Sequence, residues 1–132
     1  MRVLTGIVLS TLSYLLLNVF LILVVHACVP GGAVSEGGVA APSSLLLDLA
    51  VQAVACFAAG AVALRHAGGS VRLATAAMGG PIFALVLAST LCYWHVAPAG
   101  YNVALIAMTL PFVALGAAWR RSSGAGTPAE TR

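Results

Sequence analysis

His26 and Cys28, and then Cys92 and His95, are the residues whose side chains have the strongest capacity to bind a ligand. The first pair stands at the end of the first long apolar segment, and the second pair at the end of the third. If the two ends meet, two imidazoles can ligate a haem, and an imidazole with a thiolate can hold copper or zinc. The spacings match no strong metal-binding signature. A haem or metal site through His26 and His95 is therefore one hypothesis.

Two other interpretations of these four residues stay open. Cys28 and Cys92 can form a disulfide if their side of the protein faces an oxidising compartment. In the simplest interpretation all four are unpaired side chains at helix ends, and we predict no resident cofactor or metal. The third cysteine, Cys56, stands inside an apolar segment and is predicted to pack there as a small residue.

The composition predicts a membrane protein of a single domain. Of its 132 residues, 61% are hydrophobic and 7% are charged, whereas about a quarter of the residues in soluble proteins are charged. The formal net charge of +3 comes from six arginines against Glu36, Asp48 and Glu130. Because most of the arginines flank apolar segments, the charge indicates membrane topology and does not indicate a nucleic-acid surface.

Four segments are long enough to cross the bilayer as helices, since an α-helix needs about 20 apolar residues to span ~30 Å of hydrocarbon. The four predicted spans are residues 3–27, 45–64, 71–94 and 101–119, each limit being approximate. Residues 122–132 are predicted to form a disordered cytoplasmic tail. A cleavable signal peptide is the competing interpretation of the first segment, but its apolar core is longer than the about 7–15 residues of such peptides. We therefore predict an all-α fold, an integral membrane four-helix bundle over residues 1–121.

The positions of the arginines predict the orientation of this bundle. Cytoplasmic loops of membrane proteins are enriched in arginine and lysine. Arg2, Arg65, Arg72, Arg120 and Arg121 fall on one side of four alternating spans, and the two loops on the other side contain none. The prediction is an up-down-up-down bundle in the cell inner membrane with both termini in the cytoplasm.

Polar side chains inside the segments predict where helices meet. Tyr14 and Asn18 are four residues apart on the first segment, and Asp48 and Gln52 are four apart on the second, so each pair shares a helix face. Leaving such groups against lipid costs about 1 kcal/mol or more each. We expect the two faces to meet inside the bundle, with Cys56 continuing the second. They act either as hydrogen-bonded contacts between helices or as the lining of a substrate or proton path.

Small residues at four-residue spacing are typical of closely packed membrane helices. The second segment carries such a row at Ala55, Ala59 and Ala63, and the third carries one at Ala76, Gly80, Ala84 and Ala88. The alternative is that a sequence rich in alanine produces these spacings by chance. Pro81 and Pro111 each lack a backbone N–H inside a predicted span, so we expect a kink at each.

No pattern of catalytic residues stands out, and we expect no enzyme. The sequence contains no His-Glu-x-x-His, no Cys-x-x-Cys and no phosphate-binding glycine loop followed by lysine. The leading hypothesis is a structural or accessory subunit of a larger membrane assembly, in contact with lipid and with helices of other membrane proteins or of a second copy. The alternatives are a small homo-oligomeric transporter or channel, and a haem- or metal-binding membrane subunit.

The layout resembles that of short four-span inner-membrane proteins common in GC-rich bacteria. The resemblance rests on residues 98–102 (Pro-Ala-Gly-Tyr-Asn), on residues 110–116 and on the pair Arg120 and Arg121. It implies no site residues. In length and number of spans the chain also resembles the small multidrug exporters. Those exporters rely on a glutamate in the first span. The first span of this chain has no acidic residue, and its nearest polar group is Asn18. This difference argues against proton-coupled export.

Overall fold

The computed structural model describes residues 2–28, 42–68, 70–95 and 97–124. Four long helices occupy this part of the chain: α1 (Arg2–Cys28), α2 (Pro42–His66), α3 (Val71–Cys92) and α4 (Ala99–Gly124). Each contains a stretch that is long and apolar enough to cross a membrane. The predicted all-α fold with four candidate membrane spans is therefore confirmed.

The last helix is longer than the sequence predicts. Helix α4 continues through Gly124, and the hydroxyl groups of Ser122 and Ser123 donate to the carbonyl of Trp119 at 2.8 and 3.0 Å. Serine hydroxyls often bond to the preceding helical turn in this way. The tail expected from residue 122 therefore starts no earlier than residue 125, and residues 125–132 lie outside the described part.

A short turn joins α2 to α3. Gly68 has a φ of +60°, a left-handed conformation that glycine adopts without steric cost and that ends many helices. The N–H of Ala67 still bonds to the carbonyl of Ala63, at 3.1 Å. Ser70 then begins α3 by accepting a hydrogen bond from the N–H of Leu73 at 3.3 Å. The N–H of Ser70 also donates to the carbonyl of Ala67 at 3.2 Å, which holds the start of α3 against the end of α2.

Helix α2 lies between α1 and α4 and makes its most extensive interfaces with them. Its predicted row of small residues, Ala55, Ala59 and Ala63, is buried in the core. Larger core side chains from other helices, among them Ile82 and Val113, pack around this row. The four-residue spacing on α2 thus marks the packing face of the helix, as expected.

The closest approach in the bundle joins α2 to α4 at two glycines. A Cβ atom on Gly60 would overlap the carbonyl group of Val113, and a Cβ atom on Gly116 would overlap the carbonyl group of Phe57. The two backbones therefore touch from both sides of the interface. One turn away, the rings of Phe57 and Trp119 lie with their centroids 5.6 Å apart, within the range of favourable aromatic pairs.

The small-residue row of α3 takes no part in packing the chain itself. Ala76, Ala84 and Ala88 are exposed, and Gly80 is half-buried. The buried residues of this helix are instead Gly79 and a second row at four-residue spacing, Ala74, Met78, Ile82, Val86 and Thr90. The two rows are two positions apart, which is about 200° around a helix. Because the row with the larger side chains is buried, the row of small ones must face outward.

A π turn lies just before Pro81, the residue at which a kink is expected. Residues Ala74–Met78 are π-helical, and the N–H of Gly79 bonds to the carbonyls of both Ala74 and Thr75. Pro81 stands two residues after Gly79 and has no N–H to donate. π turns are common where the regular pattern of helical hydrogen bonds is interrupted. Around Pro111, by contrast, α4 continues as a single helix.

The glycine contacts between α2 and α4 lead to a stability prediction. Gly60→Ala and Gly116→Ala should each destabilise the protein by about 1–3 kcal/mol, because the added methyl group meets a backbone carbonyl and not a flexible side chain. Thermal unfolding in detergent, followed by circular dichroism, measures the loss. Gly100→Ala is the matched control, since nothing lies within 4 Å of the Cβ position there. Equal stabilities of the three variants would contradict the proposed backbone contact.

Candidate functional site

The polar faces of α1 and α2 meet at Gln52. This side chain is buried, with 5% of its surface exposed. Its Oε1 atom accepts hydrogen bonds from the hydroxyl of Tyr14 at 2.8 Å and from the Nδ2 of Asn18 at 2.9 Å. The two donors come from adjacent turns of α1, so a single carbonyl oxygen joins both turns to α2. This arrangement is the one that the four-residue spacings on the two helices predict.

The same glutamine continues the hydrogen bonding along its own helix. Its Nε2 atom donates to the Sγ of Cys56 at 3.7 Å. Cys56 is fully buried and belongs to the same core cluster as Val113 of α4. We refer to Tyr14, Asn18, Gln52 and Cys56 as the Gln52 cluster. Its hydrogen bonds join α1 to α2, and Cys56 packs in the core toward α4.

Apolar side chains surround the Gln52 cluster. Tyr14 and Cys56 belong to the same buried group as Ala55, Ile82 and Val86. The donors of Tyr14 and Asn18 and both ends of the Gln52 amide are therefore matched to protein partners inside an apolar environment. Buried polar groups that are matched in this way stabilise a fold, whereas unmatched groups destabilise it.

Asp48 lies apart from the Gln52 cluster. One turn nearer the start of α2, its carboxylate accepts a hydrogen bond from the hydroxyl of Tyr101, near the start of α4. Both residues are half-buried. Of the four polar residues that the sequence singled out, three therefore come together at Gln52, and the fourth makes a separate contact between α2 and α4. The position of Tyr101 at the start of a span was the one feature of the sequence that pointed to this contact.

Asn102 holds the turn between α3 and α4, a role that the sequence alone did not predict. It is buried, and its Nδ2 donates to the carbonyls of Trp94 and Ala97 at 3.0 and 3.3 Å. These carbonyls lie beyond the end of α3, where helix termini leave backbone acceptors unsatisfied. One amide side chain therefore ties the α3–α4 turn to the first turns of α4. The available signal was an asparagine just after Pro98 and Gly100, in the opening turn of a span.

The predicted ligand residues are only partly within the described part of the chain. Cys92 and His95 are exposed, at and just beyond the end of α3. The side chains of His26 and Cys28 lie outside the described residues. The haem or metal hypothesis through His26 and His95 and the disulfide between Cys28 and Cys92 therefore stay predictions. Among the described residues, no group of three or more His, Cys, Asp or Glu side chains is placed to hold a metal ion.

Comparisons with protein-family models, with curated proteins and with solved structures found no match to this chain. No relative therefore assigns a role to any of these side chains. Their function has to be inferred from the contacts that they make.

The Gln52 cluster leads to a prediction about coupling between α1 and α2. In a double-mutant cycle of Tyr14→Phe with Gln52→Leu, we expect a coupling free energy of about 0.6–1.7 kcal/mol, the range of hydrogen bonds between membrane helices. Unfolding in mixed micelles measures the four stabilities. Tyr101→Phe combined with Gln52→Leu is the control, because Tyr101 bonds to Asp48 and shares no partner with Gln52. Coupling of the same size in both cycles would contradict the assignment.

Proposed function

We propose that this chain is an integral protein of the inner membrane that acts as a structural or accessory subunit of a larger membrane assembly, without chemistry of its own. The observation that carries the proposal is the outward-facing row on α3, Ala76, Gly80, Ala84 and Ala88, whose counterpart on α2 is buried. Association of helices in lipid depends on close approach at small residues. A partner helix on this row would repeat the kind of contact that α2 makes with α4.

The use of the polar side chains supports a structural role over transport. A transport path needs polar groups that face a cavity and can still bind a solute. Tyr14 and Asn18 instead donate to one oxygen of Gln52, among apolar neighbours. Asp48 is likewise in contact with Tyr101. These groups serve contacts between helices, which favours an accessory subunit over a small transporter or channel.

The contacts between helices support the up-down-up-down part of the proposal. Along α1 and α2 the contacts run in opposite order: Gly6 lies against His66, and Tyr14 bonds to Gln52. Along α2 and α4 they run in the same order, since Asp48 bonds to Tyr101 and Gly60 lies against Val113. In an up-down-up-down bundle, consecutive helices are antiparallel, so every second helix runs in the same direction.

The arginines support a cytoplasmic location for both termini. Arg65 and Arg72 flank the α2–α3 turn, and Arg120 and Arg121 lie in the last turns of α4; all four are exposed. Since α2 and α4 point the same way, these residues lie at one end of the bundle. We call it the arginine end. Because cytoplasmic loops of membrane proteins carry an excess of arginine and lysine, we assign the arginine end to the cytoplasm.

The proposed topology predicts the behaviour of reporter fusions. Green fluorescent protein fused after Arg132 should fluoresce, and alkaline phosphatase fused there should be inactive, because the first matures inside the cell and the second outside. The same reporters inserted in the segment 29–41 should give the opposite result. Activity of alkaline phosphatase at Arg132 would contradict the assignment of the arginine end to the cytoplasm.

The proposed partner contact predicts site-specific crosslinking in the native membrane. A photo-crosslinking residue at Ala88 should capture one protein of defined mass, and Ala84→Leu should reduce that product about tenfold, equivalent to about 1.4 kcal/mol of lost packing. Leu16 on α1, which is 64% exposed, is the control position and should give no such product. Equal products at Ala88 and Leu16, or no effect of Ala84→Leu, would contradict a contact through α3.

A further inference from the structure

Near the arginine end, residues of α3 and α4 line a groove that is open to the surface of the bundle. Its volume is about 500 Å³, and its wall includes Val71, Gly80 and Phe83 from α3 and Leu110 and Ala114 from α4. The wall is almost entirely apolar. The groove therefore offers a hydrocarbon-like surface on the side that faces lipid in the proposed topology.

The groove lies next to a point where α3 and α4 are in contact. A Cβ atom on Gly79 would lie 3.1 Å from the Cγ1 of Val113, so the helices are in contact at that position. The next residue, Gly80, has nothing within 4 Å of its own Cβ position. The neighbouring wall positions Ala76 and Ala114 are also small. Small side chains on both helices thus leave empty the space that larger ones would fill.

One end of the groove carries a cation. Arg72 is part of the wall and is exposed. Of the acidic residues, Glu36 and Glu130 lie outside the described residues, and Asp48 accepts a hydrogen bond from Tyr101. Tyr101 precedes the groove residue Leu110 by nine positions, which is about 14 Å along a helix. No described carboxylate is therefore close enough to neutralise Arg72.

We infer that this groove binds one anionic phospholipid of the cytoplasmic leaflet, with an acyl chain against the apolar wall and the phosphate at Arg72. The inference rests on the proposed membrane location and on the assignment of the arginine end to the cytoplasm. A free anion would satisfy Arg72 but leave the apolar wall uncovered. A transmembrane helix would cover the wall without supplying an anion. An anionic lipid matches both features, and basic pockets between spans on the cytoplasmic side are a known setting for such head groups.

The groove and the row proposed for a partner helix overlap only in part. The groove wall includes Ala76 and Gly80, the cytoplasmic half of the α3 row, and does not include Ala84 or Ala88. With lipid in the groove, the partner helix contacts the outer half of the row, at Ala84 and Ala88. A substitution in the groove and one at Ala84 therefore report on different surfaces of the same helix. This separation allows the two proposals to fail independently.

Lipid binding to the purified full-length chain tests the inference, with phosphatidylglycerol compared against phosphatidylcholine by native mass spectrometry. The wild type should retain phosphatidylglycerol preferentially. Arg72→Gln should weaken this binding about fivefold, since a basic residue near the membrane surface contributes about that factor for an anionic lipid. Arg121→Gln, an equal change of charge outside the groove, should weaken it less than about twofold.

A second pair of variants tests the apolar wall. Gly80→Leu places a side chain into the open groove and should weaken retention about tenfold by displacing about two methylene groups of the lipid. Ala84→Leu adds a similar side chain outside the groove and should leave retention unchanged. Circular dichroism confirms that each variant is folded, and Gly80 tolerates the change sterically because its Cβ position is open.

Several results would overturn the inference. These are equal retention of the two lipids, equal effects of Arg72→Gln and Arg121→Gln, and no effect of Gly80→Leu. Displacement of the lipid by inorganic phosphate alone would also do so, because the apolar wall would then contribute nothing. A photo-crosslinker at Ala76 that captures a protein and no lipid would assign the groove to a helix. If lipid binding fails while the reporter fusions and the Ala88 crosslink behave as expected, only this inference falls.

Discussion

Backbone contact between α2 and α4 is the constraint on which the rest of the structure depends. Lipid tails are as apolar as the side chains of these helices, so burial of apolar surface gives little reason for spans to associate. At Gly60 and Gly116 each helix presents a position without a side chain to a carbonyl group of the other. Dispersion contacts between backbones then replace contacts with lipid. Around the α2–α4 pair, α1 packs mainly against α2, and α3 packs mainly against α4.

Hydrogen bonds determine how α1 joins that pair. Only a small part of α1 is buried, and residues such as Leu16 and Phe20 are exposed. Its contacts to α2 include the bonds from Tyr14 and Asn18 to the single oxygen of Gln52. A shift of α1 by one turn would leave at least one of these donors unmatched in an apolar environment, which is costly. The Gln52 cluster thus specifies the register of α1 more than it contributes to packing.

Helix α3 is bound on one side and open on the other, and the open side carries the features on which the proposed function rests. Its larger side chains fill the core, and its small ones remain outward. An outward row of small residues suits a helix, whereas a groove that ends in an arginine suits an anionic amphiphile. In the proposed membrane orientation these surfaces lie one above the other. An accessory subunit of this kind would present one helix to both protein and lipid.

The amino-acid sequence by itself determined the class of the fold, the number of candidate spans and the meeting of Tyr14 and Asn18 with Gln52. Runs of about 20 apolar residues and four-residue spacings are local properties that need no knowledge of neighbours. Only the tertiary structure decided that Asp48 contacts Tyr101, that Asn102 holds the α3–α4 turn and that the small residues of α3 face outward. These outcomes depend on how each helix is rotated about its own axis. That rotation is set by which side chains fit against adjacent helices, and no single segment contains the information.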